Sequence, residues 1–214
     1  MDIQFDLFKQ DVNAILDATT YNEFRKLLIQ SKCDQCALSK SRTNIVIDRG
    51  NPKAHIMAIG EGPGENEDIQ GKAFVGRAGM LMDELMKEVG IDTNRDLLIA
   101  NIVKCRPPEN RAPHKEEAKV CFPYLKKQIQ LVRPKVILLL GATALKYMVH
   151  EKVKISMESE AGKWMDFSEY PGIRFMVLYH PAYLLYDSRK KPVMREHLRE
   201  LKAFFDANIG KAKS

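Results

Sequence analysis

The four cysteines of this 214-residue chain are the side chains whose type and spacing most directly suggest chemistry. Cys33 and Cys36 form a C-x-x-C pair, and Cys105 and Cys121 follow far downstream. Four thiolates are the ligand set of a structural zinc ion and also of an iron–sulfur cluster. Cys33 lies in a polar run, Ser31–Gln35, with no apolar face on which a core cysteine could be buried. Spacing alone leaves zinc and a cluster open.

The redox state of these cysteines follows from the expected compartment. Disulfides belong to oxidising compartments, and Met1–Asp17 has neither an apolar segment nor a cleavage site typical of a signal peptide. We therefore expect a cytoplasmic protein with reduced cysteines. The longest apolar stretch, Val136–Leu140, is far too short to cross a bilayer, so no membrane partner is expected.

Length, composition and charge indicate one globular domain. The chain is 45% hydrophobic and 29% charged, which is enough to bury a full core in a single domain over residues 1–214. Within it we expect an N-terminal helical region at 1–30 and a loose basic tail at 210–214. The net charge of +6 suits an anionic partner without requiring one.

Hydrophobic periodicity predicts strands that alternate with helices. The predicted fold class is α/β, a three-layer α/β/α arrangement with a central, mainly parallel four-stranded sheet. The predicted strands are His55–Ile59, Leu97–Val103, Val136–Leu140 and Ile173–Leu178. The predicted helices are Ala78–Val89, Lys115–Leu131, Ala142–Val149 and Arg195–Phe205.

Polar residues follow three of these strands where each strand ends. Glu61 follows the first strand, Asn101 lies in the second, and His180 follows the fourth. Each is ordinary by itself: a loop carboxylate, a turn asparagine and a histidine after a strand. Ligands of open parallel sheets bind beyond the carboxyl ends of the strands, so the three side chains are expected to face one pocket.

The motifs around these strand ends resemble those of the family-4 uracil-DNA glycosylases. The resemblance covers about Cys33–Phe204, and the strings that carry it are Gly60-Glu61-Gly62-Pro63-Gly64, Glu67-Asp68, Gly71 through Gly76, Asn101 through Pro108 and His180-Pro181-Ala182. It implies a monofunctional, monomeric glycosylase that hydrolyses the N-glycosidic bond of uracil in single- or double-stranded DNA and leaves an abasic site. It also implies that a [4Fe–4S] cluster is bound by Cys33, Cys36, Cys105 and Cys121.

The resemblance implies roles for the pocket residues, and the chemistry supports them. His180 would donate to uracil O2 as negative charge develops on the departing base. Asn101 can accept from N3–H and donate to O4, and Phe74 would stack on the flipped base. Gly62 and Pro63 belong to the substrate-binding turn.

The first motif also departs from the better-known uracil glycosylases, whose turn reads G-Q-D-P-Y. Gly62 and Gly64 occupy the aspartate and tyrosine positions, so neither a water-activating carboxylate nor a methyl-excluding ring can come from there. Glu61 is then expected to stabilise the cationic sugar or to position water. Glu67 is expected to act as a gate near C5 of the base.

DNA contacts are expected from basic loops around these motifs and from the segment after His180. Tyr183, Leu184 and Leu185 are candidates for a wedge that fills the vacated stack, although a helix start explains this trio equally well. Eight basic residues are candidates for phosphate contacts: Arg77, Lys104, Arg106, Arg111, Lys115, Arg189, Lys190 and Lys191.

Two alternative functions remain open. One is a module that binds uracil or another deaminated base without cleaving it. The other is a covalent DNA-trapping relative, which uses a histidine in an inserted K-R-R-I-H string. His114 invites that comparison, but it follows Pro113 and no insertion is visible.

Overall fold

The computed structural model describes residues 12–149 and 155–208. The part of the predicted N-terminal helical region that precedes residue 12 lies outside the described residues, and so does the basic tail at 210–214. The helices are α1 (12–17), α2 (Tyr21–Gln30), α3 (Glu65–Gln70), α4 (Arg77–Glu88), α5 (Lys115–Val132), α6 (Gly141–Val149), α7 (Met157–Glu160), α8 (Pro181–Tyr186) and α9 (Lys191–Asn208). The strands are β1 (Arg49–Gly50), β2 (Ile56–Gly60), β3 (Leu97–Asn101), β4 (Val136–Leu140), β5 (Trp164–Asp166) and β6 (Arg174–Leu178).

The strands form one sheet in the order β1-β3-β2-β4-β6-β5. Strands β3, β2, β4 and β6 are parallel, as predicted, and Gly60 pairs with Asn101 at the carboxyl ends of β2 and β3. The predicted count of four strands was too low, because β1 and β5 add short antiparallel strands at the two edges. Strands of two and three residues are too short to produce a recognisable alternation.

Helices cover both faces of the sheet, which confirms the three-layer architecture. Along β2, Met57 and Ile59 join the hydrophobic core that α2, α5 and α6 cover. Ile56 and Ala58 join the core that α4, α8 and α9 cover. All five residues of β2 are buried, as expected for a parallel strand packed on both faces.

Two short helices next to the predicted pocket were given no bounds from the sequence, although a helix start was the alternative explanation for Tyr183, Leu184 and Leu185. Helix α3 follows β2 after a glycine-rich turn and ends at Gly71, whose φ of 67° is left-handed. Helix α8 begins directly after β6 with Pro181 in its first turn. Strand β3 ends at Asn101, two residues earlier than predicted, and α9 begins at Lys191, four residues earlier.

No helix in the described ranges 12–149 and 155–208 is long and apolar enough to cross a membrane.

Candidate active site

A pocket of about 310 Å³ lies beyond the carboxyl ends of β2, β3 and β6. It is where an open parallel sheet binds its ligands. The structure brings together all the residues predicted to contact the base, and Arg111 lies beside them. Its lining includes Glu61, Gly62, Pro63, Glu67, Phe74, Asn101, Arg111 and His180.

Asn101 presents an unpaired amide to this pocket. The residue is 1% exposed, and among residues 12–149 and 155–208 neither its Oδ1 nor its Nδ2 has a hydrogen-bond partner. A buried polar group without a partner costs about 1–3 kcal/mol, and most such groups in folded proteins are paired. The Asn101 amide therefore offers one acceptor and one donor to a ligand.

A glycine opposite Asn101 makes room for its side chain. Gly60 pairs with Asn101 in the sheet, and the Ile102 amide donates to the Gly60 carbonyl at 2.9 Å. A Cβ atom at Gly60 would lie 2.6 Å from Asn101 Oδ1 and 2.6 Å from the Phe74 ring. Only a glycine at this position allows both side chains to approach the strand end.

Phe74 forms an aromatic wall of the pocket and is held in a strained backbone conformation. Its φ is 54°, in the left-handed region that bulky residues rarely adopt. A Cβ at Gly79 would lie 1.8 Å from the Phe74 carbonyl oxygen, so the glycine permits close packing of this turn on α4. The Phe74 ring lies 5.6 Å from the His180 ring.

His180 caps the N-terminus of α8, and this contact determines its tautomer. Its Nδ1 accepts a hydrogen bond from the Ala182 amide at 3.2 Å. Because Nδ1 is an acceptor, the neutral ring carries its proton on Nε2. Burial lowers the pKa of His180 to about 4, with a smaller opposing effect from Glu67. His180 is therefore a neutral imidazole with an N–H donor in the pocket.

The two pocket carboxylates have different surroundings. The hydroxyl of Thr143, at the start of α6, donates a hydrogen bond to Glu61 and so fixes the position of its carboxylate. Glu67 accepts from the Gly64 amide at 3.1 Å and from the Gly76 amide at 2.6 Å. Glu67 thereby ties together the two turns that shape the pocket. Sequence reasoning identified neither Thr143 nor this bracing contact.

Four of the predicted basic DNA contacts have acidic partners within the protein. Arg106 is paired with Glu65, and Arg111 forms two hydrogen bonds to Glu117. Arg77 is exposed in the first turn of α4, near the pocket.

Farther along the chain, two more basic candidates are paired in the same way. Arg189 is paired with Asp187, and Lys190 is paired with Glu158.

The predicted wedge requires a correction at one residue. Leu184 is fully buried in the core beneath α8, so its side chain cannot contact DNA in this conformation. Tyr183 is 39% exposed and stacks on Tyr179. Leu185 and Tyr186 are 41% and 91% exposed and are the apolar side chains that α8 offers to a partner.

The four cysteines converge on a second, small pocket formed with Arg42, Lys104 and Tyr124. All four are free of disulfides. Within residues 12–149 and 155–208, no group of three or more His, Cys, Asp or Glu is placed to hold a metal ion. A single zinc draws four sulfurs to about 2.3 Å from one centre. A [4Fe–4S] cluster is also held by four cysteine thiolates, so the four side chains at this pocket are the donor set that either group requires.

Electrostatics around these thiols also fit a positively charged group. Burial raises the pKa of Cys105 to about 11 and that of Cys121 to about 12. Arg42 donates to Cys105 Sγ and the Lys104 amide donates to Cys121 Sγ, both at 3.3 Å. Hydrogen bonds of this kind to ligand sulfurs are characteristic of iron–sulfur sites. Thiolates at these positions would need these donors and a bound cation to remain ionised.

His114, the residue that raised the trapping alternative, lies apart from the pocket lining. It is exposed at the start of α5, and its amide donates to Glu117 at 2.7 Å.

Comparison with known proteins agrees with this geometry. The model of a family described as the uracil DNA glycosylase superfamily matches residues 47–202. A type-4 uracil-DNA glycosylase of Saccharolobus solfataricus is 44% identical over 80% of this chain and 81% of its own length. Another, from Thermotoga maritima, is 44% identical over 86% of this chain and 88% of its own. A third, from Sulfurisphaera tokodaii, is 38% identical over 79% of each chain. The chain therefore belongs to the uracil-DNA glycosylase superfamily, among relatives of the type-4 group.

Proposed function

We propose that this protein is a monofunctional glycosylase that hydrolyses the N-glycosidic bond of uracil in DNA and leaves an abasic site. The observation that carries the proposal is the unpaired, buried amide of Asn101, which shares its pocket with the neutral His180. Together they offer the acceptor and donors that one edge of uracil requires.

Recognition of the base rests on Asn101. Its Oδ1 accepts from uracil N3–H, and its Nδ2 donates to O4. Because no group in the described part of the chain bonds to this amide, its hydrogen bonds are available to the incoming base. Phe74 provides the aromatic surface against which the flipped base stacks, at the cost of a strained backbone.

Departure of the base rests on His180. The bond between the sugar and N1 breaks as the sugar becomes cationic, and the base leaves with the bonding electrons. The His180 Nε2–H donates to O2, where part of that charge accumulates. A neutral donor is sufficient, because the hydrogen bond strengthens as the oxygen becomes more negative.

Glu61 is assigned to the sugar side of the reaction. Its carboxylate is held by Thr143 and lines the pocket, so its negative charge can stabilise the cationic sugar or orient the attacking water. The water oxygen bonds to the sugar carbon, its proton is released, and the base takes up a proton after departure. Glu67 shapes the pocket through its two main-chain contacts and limits the space beside the base.

Cys33, Cys36, Cys105 and Cys121 would hold a [4Fe–4S] cluster. The shared pocket and the N–H donors to Cys105 and Cys121 support this assignment. When bound, the cluster supplies structural cross-linking, since hydrolysis needs no electron transfer. It would join the loop after α2 to the loop after β3 and to α5.

The partner is uracil-containing DNA, single- or double-stranded, bound by a monomer in the cytoplasm. Free thiols suit a reducing compartment. Phosphate contacts are expected from the exposed Arg77 on α4, next to the pocket. Contacts to the base stack are expected from the exposed Leu185 and Tyr186 on α8.

A cleavage assay tests this proposal directly. Oligonucleotides carrying U:G, U:A or single-stranded uracil are incubated with the protein, and abasic sites are revealed by alkali. We expect alkali-labile sites at uracil and none in matched cytosine strands. Uracil-dependent binding without cleavage would instead identify a binding module, and a denaturation-resistant protein–DNA adduct would identify a trapping enzyme.

A further inference from the structure

Lys104 is a fully buried lysine that lies directly behind the Asn101 pocket. It is 1% exposed, and its Nζ donates to the Asn101 carbonyl oxygen at 2.8 Å and to Gln128 Oε1. The same residue donates its backbone amide to Cys121 Sγ. Burying an amine costs free energy unless its hydrogen bonds are made, so these directed contacts explain why the position is not apolar.

The network extends from Lys104 toward the surface without a break. Gln128 Nε2 donates to the Tyr21 hydroxyl at 2.7 Å, and Tyr21 in turn donates to Asp48 at 2.7 Å. Arg25 completes the series by pairing with Asp48. These contacts connect α2 and α5 to the end of β3.

The position of the Asn101 side chain depends on main-chain contacts, because its amide makes no hydrogen bond within the described residues. The segment after Asn101 is fastened at the pocket side, where the Ile102 and Val103 amides donate to the Gly60 and Glu61 carbonyls. On the opposite side, the Lys104 amine reaches back over three residues to the Asn101 carbonyl. The plane of the peptide bond after Asn101, and with it the direction of the side chain, is therefore fixed from both sides.

We infer that Lys104 is a positioning residue that places the Asn101 amide for uracil recognition by holding the Asn101 carbonyl. The inference rests on the proposed role of Asn101. It does not require a particular charge on Lys104, because a neutral amine also donates two hydrogen bonds.

The first test compares Lys104→Met with Tyr21→Phe. Methionine keeps an unbranched apolar chain of similar size but cannot donate to Asn101. Tyr21→Phe breaks the same network at its far end and leaves the Asn101 contact intact. We expect Lys104→Met to lower the single-turnover rate on uracil DNA about 10- to 100-fold, the scale of a misplaced recognition group. Tyr21→Phe should stay within about threefold of wild type, because it leaves recognition untouched.

A double-mutant cycle separates positioning from general loss of stability. If Lys104 acts through the Asn101 amide, Lys104→Met causes no further loss of rate in an Asn101→Ala background. Multiplying losses would mean that Lys104 acts elsewhere and would overturn the inference. An unchanged rate in Lys104→Met, or an equal loss of rate in Tyr21→Phe, would also overturn the inference.

A milder variant serves if Lys104→Met does not fold. Gln128→Met removes the second acceptor that anchors the Lys104 amine, so the amine holds the Asn101 carbonyl less firmly. We expect a loss of about three- to tenfold, again absent in the Asn101→Ala background. Iron content and thermal midpoint are measured for each variant, and rates are compared per iron-loaded molecule. Wild-type protein that fails to excise uracil would refute the proposed function itself. If wild type is active but the Lys104 or Gln128 variant loses the same factor in rate with and without Asn101→Ala, only the role of Lys104 is refuted.

Discussion

Asn101 belongs to two neighbouring buried polar regions that are organised in opposite ways. On its side-chain face, the amide has no hydrogen-bond partner among the residues that the structure describes. On its main-chain face, Lys104, Gln128, Tyr21 and Asp48 are all joined by hydrogen bonds. Burial is similar in the two regions, so burial does not explain the difference. Polar groups are left unpaired where a ligand must bind, and they are hydrogen-bonded to one another where the structure must be rigid.

This contrast predicts which substitutions affect activity and which affect stability. Deleting the Asn101 amide, as in Asn101→Ala, removes groups that make no hydrogen bond within the described residues, so it should lower activity at little cost in stability. Changes around the cysteines or Lys104 leave buried partners unsatisfied, which costs about 1–3 kcal/mol for each group.

Asn101→Asp should produce the largest loss of activity. A carboxylate accepts from N3–H but cannot donate to O4, and it repels the developing uracil anion. We expect the single-turnover rate to fall about 10³-fold, the upper range for loss of one transition-state donor. The thermal midpoint should also fall, because the new carboxylate is buried without a partner. Excision at a near wild-type rate would exclude Asn101 from recognition.

His180→Ala should reduce the single-turnover rate about 100-fold, because it removes the donor to O2. Affinity for uracil DNA should fall much less, since phosphate contacts and stacking on Phe74 remain in the ground state. Rates and dissociation constants are measured on the same oligonucleotide. Equal losses in both would assign His180 to DNA docking.

Cys121→Ser tests the prediction that changes around the cysteines lower stability. The substitution removes one cluster ligand and the sulfur that accepts from the Lys104 amide. We expect less iron and sulfide per chain and a lower thermal midpoint, because cluster binding and folding are linked. Wild-type protein with stoichiometric zinc and no sulfide, purified without air from iron-replete cells, would contradict the cluster assignment.

Thr143→Val should have a smaller effect than the pocket substitutions above. It removes the hydroxyl that fixes Glu61 and keeps a similar side-chain volume. We expect a loss of about tenfold in the single-turnover rate, the lower end of the scale for one hydrogen bond to a charged group, and Thr143→Ser should keep most of the activity. An effect equal in both variants would show that packing matters and the hydroxyl does not.

The smallest predicted effect is the response of His180 to pH. Its pKa is lowered to about 4 by burial, so the ring stays neutral at neutral pH. Titration of His180 should therefore leave the rate flat between about pH 5.5 and 8, and an inflection near pH 6.5 that His180→Gln abolishes would contradict the assignment. Unfolded protein takes up this proton near pH 6.5 and folded protein near 4, so His180 makes stability decline as pH falls through that interval.

Several features of the fold and site were predictable because their signals are local. The four central strands are continuous apolar runs, and Glu61, Asn101 and His180 follow from the rule for strand ends. Strand β1 was missed because its pairing with β3 depends on a distant partner. The buried location of Leu184 was missed because six residues of α8 span too few turns to identify the apolar face.

Other features could not be seen in the sequence at all. The bracing contacts of Glu67 and the bond from Thr143 to Glu61 join residues from separate loops. Lys104 was predicted to contact DNA, and that prediction was wrong, because the side chain is buried and its amine bonds to Asn101 and Gln128. Its burial was hidden in the sequence, since lysines are mostly exposed. Composition and periodicity report on elements, whereas these contacts depend on how the elements meet.

The central claim is that the free Asn101 amide recognises uracil, and a crystal structure of the protein with bound uracil tests it most directly. We predict uracil in the pocket with N3 and O4 about 2.7–3.2 Å from Asn101 Oδ1 and Nδ2, within normal hydrogen-bond distance. The His180 Nε2 should lie at a similar distance from O2. Uracil bound with its N3–O4 edge turned away from Asn101, or bound outside this pocket, would contradict the account.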